Sequence, residues 1–152
     1  MNFYVGSDHG GIDMREQLAE LLSSWGHTVV STFGPANSGE SVDYPDVAVA
    51  VSNAVLEGEK NNAPAFGLLV CGTGQGMAIS ANKISGIRAG VVSDAFSAKM
   101  IREHNDANVI CLGQRVLGDE LAALILRTFV ESDFGGDRHA RRVGKICALD
   151  AP

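Results

Sequence analysis

Phe66-Gly67-Leu68-Leu69-Val70-Cys71 runs directly into Gly72-Thr73-Gly74-Gln75-Gly76. An unbroken apolar run of this length, closed by glycines, is the pattern of a strand buried on both faces, as in a parallel sheet. The strand ends at Cys71, and a helix begins inside the glycine turn, near Gly74 to Ala81. The first N–H groups of such a helix lack intrahelical partners and point at whatever lies beyond the turn. Three glycines within five residues let backbone approach a ligand closely, and the helix dipole favours negative charge there. The same dipole favours the Cys71 thiolate. A thiol base beside an anion hole is the chemical reading. For an isolated cysteine, the plainer one is a small core residue beside glycines that only turn the chain.

Two other strings count against that plainer reading. Asn2-Phe3-Tyr4-Val5-Gly6 leads into Ser7-Asp8-His9-Gly10-Gly11, and a predicted helix ends in His104-Asn105-Asp106 just before Asn108-Val109-Ile110-Cys111-Leu112-Gly113. Along the whole chain, apolar runs alternate with helical patterns. Strands are expected at 2–6, 28–32, 66–71, 88–93 and 108–112, and helices at 11–25, 45–58, 75–84, 94–104 and 118–131. Five strands separated by helices imply a five-stranded parallel sheet in an α/β fold. Met14, Leu18, Leu21 and Leu22 give the first helix one apolar stripe, with Gly26 as its stop. Leu121, Leu124, Ile125 and Phe129 do the same for the helix after Gly118.

At 152 residues and 45% hydrophobic content, the chain has room for one domain, 1–152, and not for two. A net charge of −6 argues against non-specific nucleic-acid binding, which needs a basic face. The sign reverses locally in the tail, where Asp137-Arg138-His139-Ala140-Arg141-Arg142-Val143-Gly144-Lys145 carries four Lys/Arg against one Asp. A basic helix over about 138–147 would suit a small anionic metabolite. The three cysteines, 71, 111 and 147, form no CxxC pair and lie in or beside apolar stretches. Neither a zinc site nor a disulfide framework is suggested, and a reducing cytoplasm is the expected home. No run approaches the ~20 apolar residues of a membrane span, and no secretory leader pattern opens the chain.

Gly72-x-Gly74-x-Gly76 is not a dinucleotide fingerprint, because the third glycine falls one residue early and the turn follows the third strand. No Walker loop is present either. In this architecture ligands meet loops at the carboxyl ends of strands, so the Asp8-His9, Tyr44 and Cys71 segments are expected to share one crevice. The loop 34–44, rich in Gly, Ser, Pro and Asn, borders it. His9 reads either as a ligand-contacting group or as a turn residue beside an Asp8 helix cap. His104 at a helix end is also explained by dipole compensation, and Asn105 and Asp106 by helix termination. His27 reads as structural or solvated, and Cys111 and Cys147 as packing residues. Arg138 and Arg142, four apart on a helix, project from one face and could grip a phosphate together, whereas Arg141 and Lys145 form a second, solvated face. Arg115 follows the fifth strand at a ligand-facing end. Ion pairing with the acidic surface is the alternative for all these arginines.

Ser7-Asp8-His9-Gly10-Gly11, Asp43-Tyr44-Pro45, Cys71-Gly72-Thr73-Gly74-Gln75-Gly76, Ala81-Asn82-Lys83, Gly86-Ile87-Arg88-Ala89, His104-Asn105-Asp106 and Arg138-His139-x-x-Arg142-Val143 together resemble the ribose 5-phosphate isomerase B family, which includes allose and galactose 6-phosphate isomerases. The resemblance runs in one order from Val5 to about Ile146. It implies a Rossmann-like three-layer sandwich, a homodimer or tetramer with the active site between subunits, and cofactor-free, metal-free interconversion of an aldose phosphate with its ketose. By the same resemblance Cys71 is the base and Gly72, Thr73, Gly74, Gln75 and Gly76 hold the enediolate. His104 helps open the sugar ring, Asn105 binds a hydroxyl, and Asp8 and His9 contact substrate. Tyr44 lines the site, and Arg115, Arg138 and Arg142 bind phosphate. Ribose 5-phosphate is the expected substrate. The alternatives are a six- or four-carbon aldose phosphate, or a non-catalytic sugar-phosphate-binding module.

Overall fold

The computed structural model describes residues 1–61 and 64–150, so positions 62–63 and 151–152 of the expected 1–152 unit lie outside the described residues. Five strands alternate with helices: β1 (Asn2–Ser7), α1 (Ile12–Ser24), β2 (Thr28–Phe33), α2 (Tyr44–Lys60), β3 (Ala65–Cys71), α3 (Gln75–Ala81), β4 (Ala89–Val91), α4 (Ala95–Asn105), β5 (Val109–Gly113), α5 (Asp119–Val130) and α6 (Asp137–Cys147). The strands form one parallel sheet in the order β2-β1-β3-β5-β4. Hydropathy sets the positions. β3 and β5, almost wholly apolar, lie inside the sheet, while β2, exposed or half-exposed throughout, is an edge.

Side chains alternate between two helical layers. Phe3, Val5, Leu68, Val70, Ile110 and Leu112 meet α1, α4 and α5. Leu69, Cys71, Val109 and Cys111 meet α2 and α3 on the other face. This is the Rossmann-like three-layer sandwich. Chain order reverses between β1 and β3, since β1 leads outward to β2 on one side and the rest of the sheet grows on the other. In open α/β sheets that reversal opens a crevice at the carboxyl ends of the two strands.

α3 and β4 are both shorter than the sequence expectation, for a shared reason. α3 stops at Ala81, not 84, and β4 spans only 89–91, not 88–93. Asn82 leaves the helix and turns its carboxamide onto the backbone of Ala89, accepting the Ala89 N–H and donating to the Ala89 carbonyl, each at 2.8 Å. Gly86, at φ +89, makes the intervening turn. Cys147 is exposed in the chain, not packed, because α6 buries none of its residues. Cys111 does pack, and burial, with a smaller contribution from Cys71, pushes its thiol up and keeps it protonated. His27 sits against the Phe3 ring, and partial burial holds it below its ordinary value.

α4 is anchored by a buried cation. Arg102, 8% exposed, donates to Asp106 Oδ1 at 2.9 Å and to the Ala107 carbonyl at 2.7 Å. Its guanidinium carbon lies 4.9 Å from the Phe66 ring centre and 5.6 Å from that of Phe129. A charge, a carboxylate, a carbonyl and two aromatic faces thus satisfy one another, and Asp106 in the left-handed region ends the helix. Among the described residues no helix is long and apolar enough to cross a membrane.

Candidate active site

At the end of β1 the chain turns through Asp8-His9-Gly10-Gly11. Asp8 is buried and its Oδ1 accepts the Gly10 N–H at 2.8 Å. It does not cap α1, whose N-cap is Gly11 without a side-chain bond. The start of α1 is instead held from a distance, by Gln114 Oε1 accepting the Met14 N–H at 3.0 Å and Gln114 Nε2 donating to Asp13 at 3.3 Å. Gly11 has to be glycine, because a Cβ there would lie 2.6 Å from the Val70 carbonyl oxygen. His9 is exposed at the mouth of the turn.

At the end of β3, Cys71 is 5% exposed and its Sγ accepts the Gly74 N–H at 3.0 Å. Gly74, at φ +78, reverses the backbone so that its amide returns to the sulfur, and α3 starts at the next residue. The Gln75 amide turns back to Thr73 Oγ1 at 3.4 Å. The loop after β5 is laced to this cradle: Gln114 donates its N–H to the Cys71 carbonyl at 2.9 Å, and Arg115 donates its own to the Gly72 carbonyl at 3.0 Å. Arg115 thereby lies over Gly72. A Cβ placed on Gly10 would sit 3.3 Å from Asp8 Oδ1, 3.5 Å from the Gly72 amide nitrogen and 3.8 Å from Arg115 Nη2. One small space is therefore shared by a carboxylate, a backbone amide and a guanidinium, beside a thiol. Tyr44, at the start of α2, meets the glycine segment from the other layer, its ring so near α3 that a Cβ on Gly76 would lie 2.6 Å from it.

The remaining expected residues form a second group. His104 and Asn105 occupy the last turn of α4, while Arg138 and Arg142 lie on α6. The His104 and His139 rings stack 4.2 Å apart and 6° from parallel, and Arg138 Nε donates to His139 Nε2 at 3.3 Å. Asn105 borders a cavity of about 170 Å³ with Asn82, Ile87, Arg88, Ile101 and Ile146. Among the described residues no hydrogen bond, ion pair or ring contact joins this group to Cys71, Asp8, Tyr44 or Arg115. Topology explains the separation. α4 delivers the chain to the start of β5, whereas Cys71 stands at the finish of β3, and all strands are parallel. The seven residues of β3, at about 3.3 Å each, put the two sheet edges on the order of 20 Å apart.

The structure thus brings together Asp8, Tyr44, Cys71 to Gly76 and Arg115, with His9 alongside, and separately His104, Asn105, Arg138 and Arg142. Sequence reasoning passed over Gln114, whose partners lie a hundred residues away, and His139, whose only local signal is its place between two arginines. Among the described residues no three His, Cys, Asp or Glu side chains are placed to hold a metal ion together.

The profile of the Ribose/Galactose Isomerase family matches residues 3–146. Ribose-5-phosphate isomerase B of Escherichia coli (strain K12) is 40% identical over 145 residues, covering 95% of this chain and 93% of that protein. A D-erythrulose-4-phosphate isomerase of Pectobacterium atrosepticum is 39% identical over 147 residues, covering 96% of this chain and 93% of that one. Among solved structures, ribose-5-phosphate isomerase B of Clostridium thermocellum superposes with a TM-score of 0.91 at 45% identity, covering 99% of this chain and 97% of that one. Matched almost end to end in both sequence and fold, the chain belongs to the Ribose/Galactose Isomerase family of sugar phosphate isomerases.

Proposed function

We propose that the protein interconverts ribose 5-phosphate and ribulose 5-phosphate through a cis-enediolate, with Cys71 as the base. The observation that carries the reading is the Cys71 sulfur held 3.0 Å from the Gly74 amide, inside a glycine cradle bordered by Asp8 and Arg115. The Cys71 thiolate takes the proton from carbon 2 of the open-chain aldose, and the released electron pair forms the carbon 1–carbon 2 double bond while charge moves onto oxygen 1. Amides of the Gly72 to Gly76 segment meet that charge without reorganising. The oxygen 2 proton passes to oxygen 1, and the sulfur returns its proton to carbon 1, leaving the ketose. One base serves both transfers, and every group required belongs to the protein.

The same reading assigns His104 to ring opening, Asn105 to a sugar hydroxyl, and Arg115, Arg138 and Arg142 to phosphate, whose remote binding energy orients the chain of carbons. His104 and the α6 arginines stand at the sheet edge opposite Cys71, so the complete site is composed from two subunits of a homodimer: the cradle of one protomer faces the α4–α6 group of its partner. Exposed Phe96 and Ile79, 73% and 63% accessible, supply apolar surface for such an association. The cytoplasm, where phosphorylated sugars and free thiols coexist, is the compartment this chemistry fits.

A coupled assay on purified protein tests the function. Turnover of ribose 5-phosphate above that of erythrose, allose and galactose phosphates is expected. Preference for D-erythrulose 4-phosphate, the substrate named for one relative, would move the assignment to a four-carbon sugar with unchanged chemistry. Absence of deuterium exchange from D2O into any ketose phosphate would reduce the protein to a binding module.

A further inference from the structure

His139 touches two members of the α4–α6 group at once. Its ring lies face to face with His104, 4.2 Å away and 6° from parallel, while its Nε2 accepts from Arg138 Nε at 3.3 Å. We propose that His139 is a positioning residue, whose stacked ring fixes the His104 imidazole for ring opening and whose Nε2 aims the Arg138 guanidinium at the phosphate. The inference rests on the isomerase reading above and adds to it the device that holds its exposed half in register.

The need for such a device follows from the local structure. His104 is half-buried in the last turn of α4, and the imidazole torsion χ2 has a broad, roughly two-fold profile, so an unsupported ring there samples many orientations. α6 contributes no buried residue that could supply support by packing. Its approach to α4 is set by the Gly135 N–H bonded to the Glu103 carbonyl at 2.9 Å and by the histidine stack. A parallel neighbour removes freedom about χ2 and leaves the ring edge, with its nitrogens, available to a ligand.

The stack works only if the two rings are not both cations. Nε2 of His139 accepts a hydrogen bond, so it carries a lone pair, and the ring is the neutral tautomer protonated on Nδ1. Loss of water around the ring, and then the positive charges of His104, Arg138 and Arg142, hold His139 below its ordinary value, with Glu103 opposing. These are the charged groups that α4 and α6 present to it. A neutral face remains in place while His104 gains and loses a proton.

The experiment separates ring opening from proton transfer between carbons. Ribulose 5-phosphate has no free oxygen on carbon 5 with which to close a furanose, so deuterium exchange from D2O into it needs Cys71 but not ring opening. In the full-length protein, His139→Ala is expected to lower kcat on ribose 5-phosphate by about tenfold or more, with exchange into ribulose 5-phosphate within about threefold of the parent. His139→Phe keeps a stacked face and is expected to restore kcat to within about threefold while raising KM, because the acceptor for Arg138 is gone. Unchanged kcat in His139→Ala, equal loss of both readouts, or a Phe variant as impaired as the Ala variant would each overturn the proposal. A parent protein that neither isomerises nor exchanges would sink the isomerase reading itself, and the proposal with it.

Discussion

The cradle around Cys71 and the group on α4 and α6 differ in how they are held. The cradle is built from backbone: strand ends, a left-handed glycine, and amides bonded to Cys71 and Gly72 across neighbouring strands. Asp8 and Cys71 are buried in it, while His9, Tyr44 and Arg115 stand exposed at its rim. The α4–α6 group is built from side chains on helix surfaces, held by one ring stack, one backbone bond and the buried Arg102 beneath. A rigid, glycine-lined surface suits stabilisation of a developing charge, which gains most from groups that need not move. Long cationic side chains suit capture of a phosphate arriving from solution. The difference teaches that a backbone-built surface and a side-chain-built one stand at opposite ends of the parallel strands, and under the proposed reading a second copy of the chain brings them together.

The largest expected effect tests the cradle. Cys71→Ala should lower turnover by roughly 10²–10⁴ with KM little altered, the signature of losing one acid–base group, and full turnover in that variant would remove the cysteine from the mechanism. Mixing tests the division between edges. Inactive Cys71→Ala and His104→Ala proteins, unfolded and refolded together, should recover about a quarter of parental activity, because half the dimers are mixed and each of those holds one intact composite site. No recovery would mean that the two groups act within one protomer or do not act together.

The footing of α4 comes next. Arg102→Ala leaves Asp106 Oδ1 and the Ala107 carbonyl without their donor, while Asp106 Oδ2 keeps Arg88 Nη2 at 3.2 Å, so about 2 kcal/mol of stability should be lost, read as a lowered denaturation midpoint at unchanged slope. A loss under about 0.5 kcal/mol would show that the aromatic faces and water replace the arginine. Arg142→Ala should weaken substrate binding by about 1.5–3 kcal/mol, and weaken a phosphate-free sugar far less; an equal penalty on both would take Arg142 off the phosphate.

The smallest effect concerns pH. His139 is held below its ordinary value when folded, so on acidification the unfolded chain binds the proton first. The contribution of His139 is therefore whole above its ordinary value near 6.5 and declines as pH falls below it. Hydrogen exchange of α6 amides should speed up between about pH 7 and 5 relative to those of β3, and an α6 indifferent to that interval would argue that the stack does not hold it.

Much of this architecture was legible in residue order. The run ending at Cys71 announced a buried strand, and alternation with helical periods gave a five-stranded parallel sheet; the order of its strands, with the reversal between β1 and β3, came from the structure. Asp8, Cys71 and Tyr44 were expected in one crevice because ligands gather at strand carboxyl ends, and the structure places them there. What escaped depends on pairing between distant segments. The shortness of β4 and the early end of α3 follow from one amide side chain reaching Ala89, and the cap on α1 comes from Gln114. The remoteness of His104 from Cys71 was implicit in the order of elements, since a helix end leading into a parallel strand lies opposite a strand end.

Asn82 carries one more consequence. Ala89 is flanked by Arg88, whose carbonyl accepts the Val109 N–H of β5 at 3.4 Å, and by Gly90, so alternation turns the Ala89 N–H and carbonyl outward from the rim of the sheet, and the Asn82 carboxamide occupies both. A bare rim of this kind is a template on which another chain can lay a strand. An amide that imitates a peptide plugs it, so a strand arriving along this rim finds the Ala89 positions already taken.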